Sequence, residues 1–256
     1  SKNFKISKEL SFNNYDELIA NKNVDAVYIS TLNNTHFEII LKCIKNKKNV
    51  LCEKPMTLNY EEAKIVEENL SSNQILFAEA IAYRFHPIAK EILKTINENE
   101  IGKINKIEIN LGFLVKRPDK NSRLFNKSLG GGAILDIGCY PISFINLFTK
   151  DKNEVKFTKA SGNFNNFGVD GSADADLVIN QSIEAKIKIS IEENFEDKIL
   201  VYGDDGHVII NSPWMPQQKT FFEVTTLTTS PLNKDDCNGL SFPFISHPIA
   251  ASPILV

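Results

Sequence analysis

The sequence predicts an α/β unit with a parallel sheet over residues 1–80, then an α+β unit with an open antiparallel sheet over residues 81–256. Three observations predict it. Strand and helix patterns alternate from Val24 to Ala80, and that order implies right-handed crossovers and parallel pairing. Beyond Ala80 the apolar residues fall into period-two runs, Ile107 to Val115 and Ile183 to Ile191, as strands with one covered face do. The 256 residues, 42% hydrophobic and 24% charged, are enough for two modest cores.

Each element follows from local chemistry. "NNYDELI", from Asn13, opens with a capping Asn and acidic residues and reads as a short helix. "VDAVYIS" is a buried strand, Val24 to Ser30, and "TLNNTH" a polar turn. "FEIILKCIKNKK" spaces Phe37, Ile40, Leu41 and Ile44 for one helix face and ends in lysines, which favour a helix C-terminus. "NVLCE" is the second strand. "LNYEEAKIVEENL" is a helix capped by Asn59, with Ala63, Val66 and Leu70 on one side. "QILFAEA" is the third strand.

"YRFHPIAKEILKTINEN" is helical, with Pro87 tolerable only in the first turn. "ILVYGDDGHVII" reads as a hairpin around its turn residues. The segment after Thr229, with four prolines and little periodicity, reads as irregular.

A net charge of −3 gives the chain no overall attraction to nucleic acid or anionic membranes, and neither partner is expected. No uninterrupted apolar run approaches the ~18 residues of a membrane span. The first ten residues are too charged for a signal-peptide core. Cys43, Cys52, Cys139 and Cys237 lie far apart, which suits reduced thiols in a cytoplasmic protein. The four histidines are equally scattered, so no metal site is expected.

Three stretches carry candidate chemistry: "STLNNTH" after the first strand, "CEKP" after the second, and "GGGAILDIGCYPISF" from Gly130 to Phe144. Singly each has an ordinary reading. Thr35 could cap a helix, three glycines could make a tight turn, Asp136 could cap the helix after it, and Tyr140 could be core. Strand ends of parallel sheets are nevertheless where α/β proteins bind ligands.

Taken together and in this order, the motifs resemble the Gfo/Idh/MocA oxidoreductases. Thr31-Leu32-Asn33-Asn34-Thr35-His36 is similar to the family's TPNxxH, with Leu32 in place of proline. Glu53-Lys54-Pro55 matches its EKP, and Gly130 to Tyr140 its GGGxxxDxGxH/Y. "EAIAYRFHP" resembles its bridge between domains, and the likeness runs from Val24 to Trp214. Tyrosine at the last motif position is similar to the branch holding dihydrodiol dehydrogenases and glucose-fructose oxidoreductase.

The resemblance implies a Rossmann-like first domain, NAD or NADP as cofactor, a sugar or cyclic diol as substrate, and a homo-oligomer built through the sheet. It implies that Tyr140 exchanges the proton of the substrate hydroxyl. Lys54 would hold that hydroxyl and favour the phenolate, since a free tyrosine near pKa 10 is a poor base at neutral pH. Asp136 would position the substrate or tune Lys54. Thr31, Leu32, Asn33 and His36 would line the cofactor side, with Lys54 near the nicotinamide and Glu53 reaching the ribose.

Two family features have no counterpart in the sequence. No glycine precedes Gly102, so there is no GxGxxG turn to cradle a pyrophosphate, and the closing helical segment is not recognisable after Thr229. The expectation is that this polypeptide alone binds NAD(P)H weakly. A non-catalytic binding or assembly module is the alternative reading.

Overall fold

The structure, a computed structural model, describes residues 11–148, 155–215 and 222–226. The chain divides into two compact units. The first comprises residues up to Ala80 together with Ser128–Gly130, and the second begins at Ile81 and resumes at Gly131.

In the first unit the strands β1 (Ala26–Ile29), β2 (Asn49–Cys52) and β3 (Phe77–Glu79) pair in parallel in that order. Helices α2 (Asn33–Lys45) and α3 (Tyr60–Ser71) provide the two crossovers, and α1 (Tyr15–Ala20) precedes β1. Asn14 caps α1 by accepting from the Glu17 amide, and Asn59 caps α3 by accepting from the Glu62 amide, as side-chain oxygens do for orphan helix N–H groups. Ile19, Ile29, Ile39, Ile40, Cys43, Ile44, Val50, Cys52 and Val66 are buried in one cluster. Lys48 is buried as well and satisfies its charge on the Asn21 and Val24 carbonyls, at 2.7 and 2.6 Å.

One expectation changes here. "TLNNTH" is only in part a turn, because α2 already begins at Asn33. Leu32 takes the extended N-cap position, and Thr35 lies within the first turn, donating its hydroxyl to the Leu32 carbonyl at 2.8 Å. The early start buries Asn33 and His36 on the inner side of α2, which polar residue types alone do not announce.

The second unit opens with a 3-10 turn, Ala82–Phe85, and α4 (Pro87–Asn97), with Pro87 in the first turn where no amide is needed. Seven strands follow: β4 (Ile104–Gly112), β5 (Val155–Phe164), β6 (Asp170–Ile179), β7 (Ile183–Ser190), β8 (Lys198–Gly203), β9 (Gly206–Asn211) and β10 (Phe222–Thr226). They form one sheet in the order β10-β9-β8-β4-β7-β6-β5. The sheet is mixed, not wholly antiparallel. β4 runs parallel to β7, and every other neighbour pair is antiparallel. The chain leaves β4, passes through helical segments to the far edge, and returns as the β5–β6–β7 meander, which brings β7 back alongside β4. Period-two alternation reports a covered face and not the direction of the neighbouring strand, so the parallel pair leaves no mark on it.

Between β4 and β5 lie a 3-10 turn (Lys127–Leu129), a π-helical turn (Ile134–Gly138) and α5 (Cys139–Ile145). By length and composition the stretch Lys127–Ile145 would pass for a membrane span. Most of it is buried inside this unit, where Ala133, Ile137, Phe144 and Ile145 join Ile107, Ile109, Ile187, Ile189, Val201 and Val208 in the core. β5 escapes sequence reading because nearly all its residues are exposed, and it forms by edge pairing with β6. The segment after Thr229 lies outside the described residues.

Candidate functional site

The first unit gathers its motif residues at the C-terminal ends of β1 and β2. The Glu53 amide donates to the Ile29 carbonyl at 2.8 Å and extends the pairing one residue past β2. The Lys54–Pro55 peptide that follows is cis. Two side chains hold the backbone around it. His36, fully buried at 0% exposure, sets Nδ1 2.9 Å from the Pro55 carbonyl and Nε2 3.1 Å from the Thr31 carbonyl. Glu79, the last residue of β3, accepts from the Met56 amide at 2.8 Å. The half-buried Lys54 thus stands on a turn clamped at the two residues after it.

The other motif residues divide into two kinds. Asn33 is buried and donates to the Gly130 carbonyl at 3.1 Å, so Asn33 and His36 have their polar atoms engaged in holding turns together. Leu32 is 45% exposed, and Thr31 pairs its hydroxyl with that of Thr35 at 2.6 Å. Glu53 accepts a short hydrogen bond from the Tyr28 hydroxyl, which pushes the Tyr28 phenol up to about 12 and keeps it a donor.

The N-terminus of α2 leaves the same strand ends without a side-chain cap, and uncapped first-turn amides favour an anionic ligand. Thr31, Leu32, Glu53 and Lys54 stand just past the C-terminal ends of the parallel strands β1 and β2, where α/β folds bind ligands.

In the second unit Asp136 sits in the π turn and Tyr140 one turn later in α5. The three preceding glycines let other chain segments approach. Gly131 and Gly132 donate to the Asn126 and Leu124 carbonyls, both at 3.0 Å, and Gly132 has φ +118°. Asp136 is 6% exposed and ion-paired with Arg123 at 2.8 Å. The Tyr140 ring packs on Trp214, with centroids 5.8 Å apart. Trp214 in turn meets Tyr83 edge-on at 5.3 Å and Phe144 at 6.3 Å. Tyr83 donates to Ser143, and burial pushes its phenol up to about 12. Beside this aromatic group, burial raises the Asp197 carboxyl to about 6, against a smaller lowering by the Trp214 indole N–H.

Sequence reasoning passed over Tyr28, Glu79, Arg123, Asp170 and Trp214. Glu79 carried the one usable signal, an acidic residue that closes the third strand and opens the interdomain motif. Among the described residues no group of three metal-ligating side chains converges.

A short parallel sheet with helical crossovers, followed by a mixed-sheet unit, is a two-unit α/β architecture with a Rossmann-like first unit. The profile of an oxidoreductase family with an NAD-binding Rossmann fold matches residues 1–80, and the GFO/IDH/MocA C-terminal domain matches residues 89–209. The chain belongs to the Gfo/Idh/MocA oxidoreductase family.

It is similar to trans-1,2-dihydrobenzene-1,2-diol dehydrogenase of Xenopus tropicalis, 28% identical over 239 residues, covering 91% of this chain and 71% of the relative. It also resembles D-xylose 1-dehydrogenase (NADP(+)) of Hypocrea jecorina, 31% identical over 173 residues, covering 62% of this chain and 44% of the relative. Its fold matches that of a 3-ketoreductase from Actinomadura kijaniata solved with NADP and TDP-benzene, at TM-score 0.75 and 24% identity, over 85% of this chain and 66% of that one.

Proposed function

We propose that the chain is an NAD(P)-dependent oxidoreductase that transfers a hydride between the nicotinamide cofactor and a hydroxyl or carbonyl of a sugar or cyclic diol. The observation that carries this reading is the turn bearing Lys54, clamped by His36 and Glu79 at the strand ends of a family member's cofactor domain. A nicotinamide cofactor, when bound, supplies or takes the hydride; the chain's own residues supply geometry, charge and proton transfer. Thr31, Leu32 and Glu53 hold the cofactor, with Asn33 and His36 fixing the turns behind them.

Lys54 is assigned to hold the substrate oxygen, and Tyr140 to take or return the hydroxyl proton. Asp136, kept in place by Arg123, positions the substrate. The first unit serves the cofactor and the second the substrate. The open face of the mixed sheet, grooved between Glu108, Asn110, Lys186, Lys188 and Phe195, serves assembly of a homo-oligomer. Buried free thiols at Cys43 and Cys52, raised to about 11 and about 12, favour a cytoplasmic setting in which they stay reduced. The partners of this reading are small molecules, with no nucleic acid and no membrane.

A panel of aldoses and cyclic diols offered with NAD+ and NADP+ tests the reading, alongside sedimentation of the protein. Turnover lost in Lys54→Ala supports it. Stable folding and oligomerisation with no turnover favours the assembly module.

A further inference from the structure

We infer that Asp170 is a positioning residue for the helical segment that carries Asp136 and Tyr140, and that the glycine at 132 exists to admit its carboxylate. The helical stretch from Ile134 has Ala133 at its N-cap, and no side chain of its own caps it. The first amides of a helix have no intrahelical acceptor and take one from elsewhere. Asp170, at the start of β6, provides them. Its Oδ2 accepts from the Ile134 amide at 2.6 Å, and the amides of Ala133 and of Asp170 itself also donate to the carboxylate.

The approach is possible only because residue 132 lacks a side chain. A Cβ there would lie 2.0 Å from Asp170 Oδ1, and the backbone at φ +118° would be strained for any other residue. Asp170 is itself held firmly. The Asn165 amide donates to the Val169 carbonyl before it, and the Ile191 amide to the Gly171 carbonyl after it, both at 2.9 Å.

A carboxylate suits this place better than an amide. It accepts several N–H groups at once and has no donors to turn against them, and these bonds offset part of the burial that raises its pKa. Asp170 therefore fixes the axial position of the segment that presents Tyr140, and an error of an ångström in such a group is costly to catalysis. The functional meaning of this inference rests on Tyr140 exchanging a proton; the geometric part does not.

Trp214 is the chain's one tryptophan and packs on Tyr140, so its emission reports where the Tyr140 ring lies without any turnover. Tyrosinate quenches a neighbouring indole, and alkaline titration of the emission in wild type and Tyr140→Phe isolates the Tyr140 share, apart from Tyr83. Asp170→Ala and the isosteric Asp170→Asn are then compared, with far-UV circular dichroism to confirm folding. The Tyr140 step is expected to lose at least about half its amplitude in Asp170→Ala and to change less, in the same direction, in Asp170→Asn. In turnover, kcat should fall about 10- to 100-fold in Asp170→Ala with KM within about twofold.

If Asp170→Ala fails to fold, Asp170→Asn alone decides. A folded variant of either kind with the wild-type Tyr140 step overturns the inference. A displaced step in a protein that turns over nothing leaves the positioning standing and removes the proposed function.

Discussion

The turn carrying Lys54 and the helix start carrying Asp136 and Tyr140 are held by opposite means. The first is clamped from outside by side chains of adjacent elements, His36 of α2 on the Pro55 carbonyl and Glu79 of β3 on the Met56 amide. The second is held by leaving side chains out, so that the Leu124 carbonyl and the Asp170 carboxylate reach its backbone. A clamp made of side chains loses its contacts when one is trimmed. A clamp made of missing side chains fails when one is added. The two regions should therefore break under opposite kinds of substitution.

The largest effect is expected from addition. Gly132→Ala places a Cβ 2.0 Å from Asp170 Oδ1 on a backbone at φ +118°, and strain plus overpacking should cost about 3 kcal/mol or more. Chemical denaturation followed by Trp214 emission measures it, since Trp214 lies in the same unit. A loss below about 0.5 kcal/mol, the usual scale for unremarkable substitutions, would mean the turn has room that the geometry denies.

Trimming should act on the first unit. His36→Leu keeps the bulk but removes the ring N–H that bonds one of the Pro55 and Thr31 carbonyls, at about 1–3 kcal/mol. Glu79→Ala leaves the Met56 amide unpaired, at about 1–3 kcal/mol. Hydrogen exchange reads both locally. Protection should fall around residues 53–58 and stay unchanged in β4 and β7. Loss spread evenly over both units would deny that the clamp is local.

The smallest effect is a pH dependence. Burial raises the Asp197 carboxyl to about 6, above the ~3.9 of an unfolded aspartate. A raised acid binds its proton more tightly in the folded state. Its contribution is therefore fully present below about pH 4 and is lost as pH rises through about 6. Asp197→Asn removes that loss, so relative to wild type it should gain stability between pH 4 and pH 8. The gain should be about 1 kcal/mol, because a half-buried carboxyl is partly screened by solvent. Urea midpoints at the two pH values check the sign, and a difference that shrinks with rising pH would reverse the assignment.

The same contrast explains what the sequence made legible. Strand–helix alternation revealed the parallel unit, and Asn59 and Pro87 stand at the helix starts that their chemistry selects. Lys54, Asp136 and Tyr140 were legible as candidates because they sit inside compact motifs. Their supports were not, because Glu79, Arg123 and Asp170 are single residues brought in by the fold from other elements. No local period marks them. The early start of α2 was missed because Asn33 and His36 are buried by hydrogen bonds and not by apolarity. The parallel β4–β7 pair was missed because alternation is blind to strand direction. β5 was missed because an exposed edge strand shows no alternation at all.

The central proposal is that Lys54 and Tyr140 are both required for the proposed hydride transfer. The most direct test is kcat/KM for Lys54→Ala, Tyr140→Phe and the double variant, on the best substrate of the panel with its preferred cofactor. Residues that act as a unit are not additive. Each single variant should lose about 10²- to 10⁴-fold, the range of general acid–base catalysis, and the double should lose little more than the worse single. Losses that multiply in the double variant, or a single variant that keeps wild-type turnover, would contradict the account.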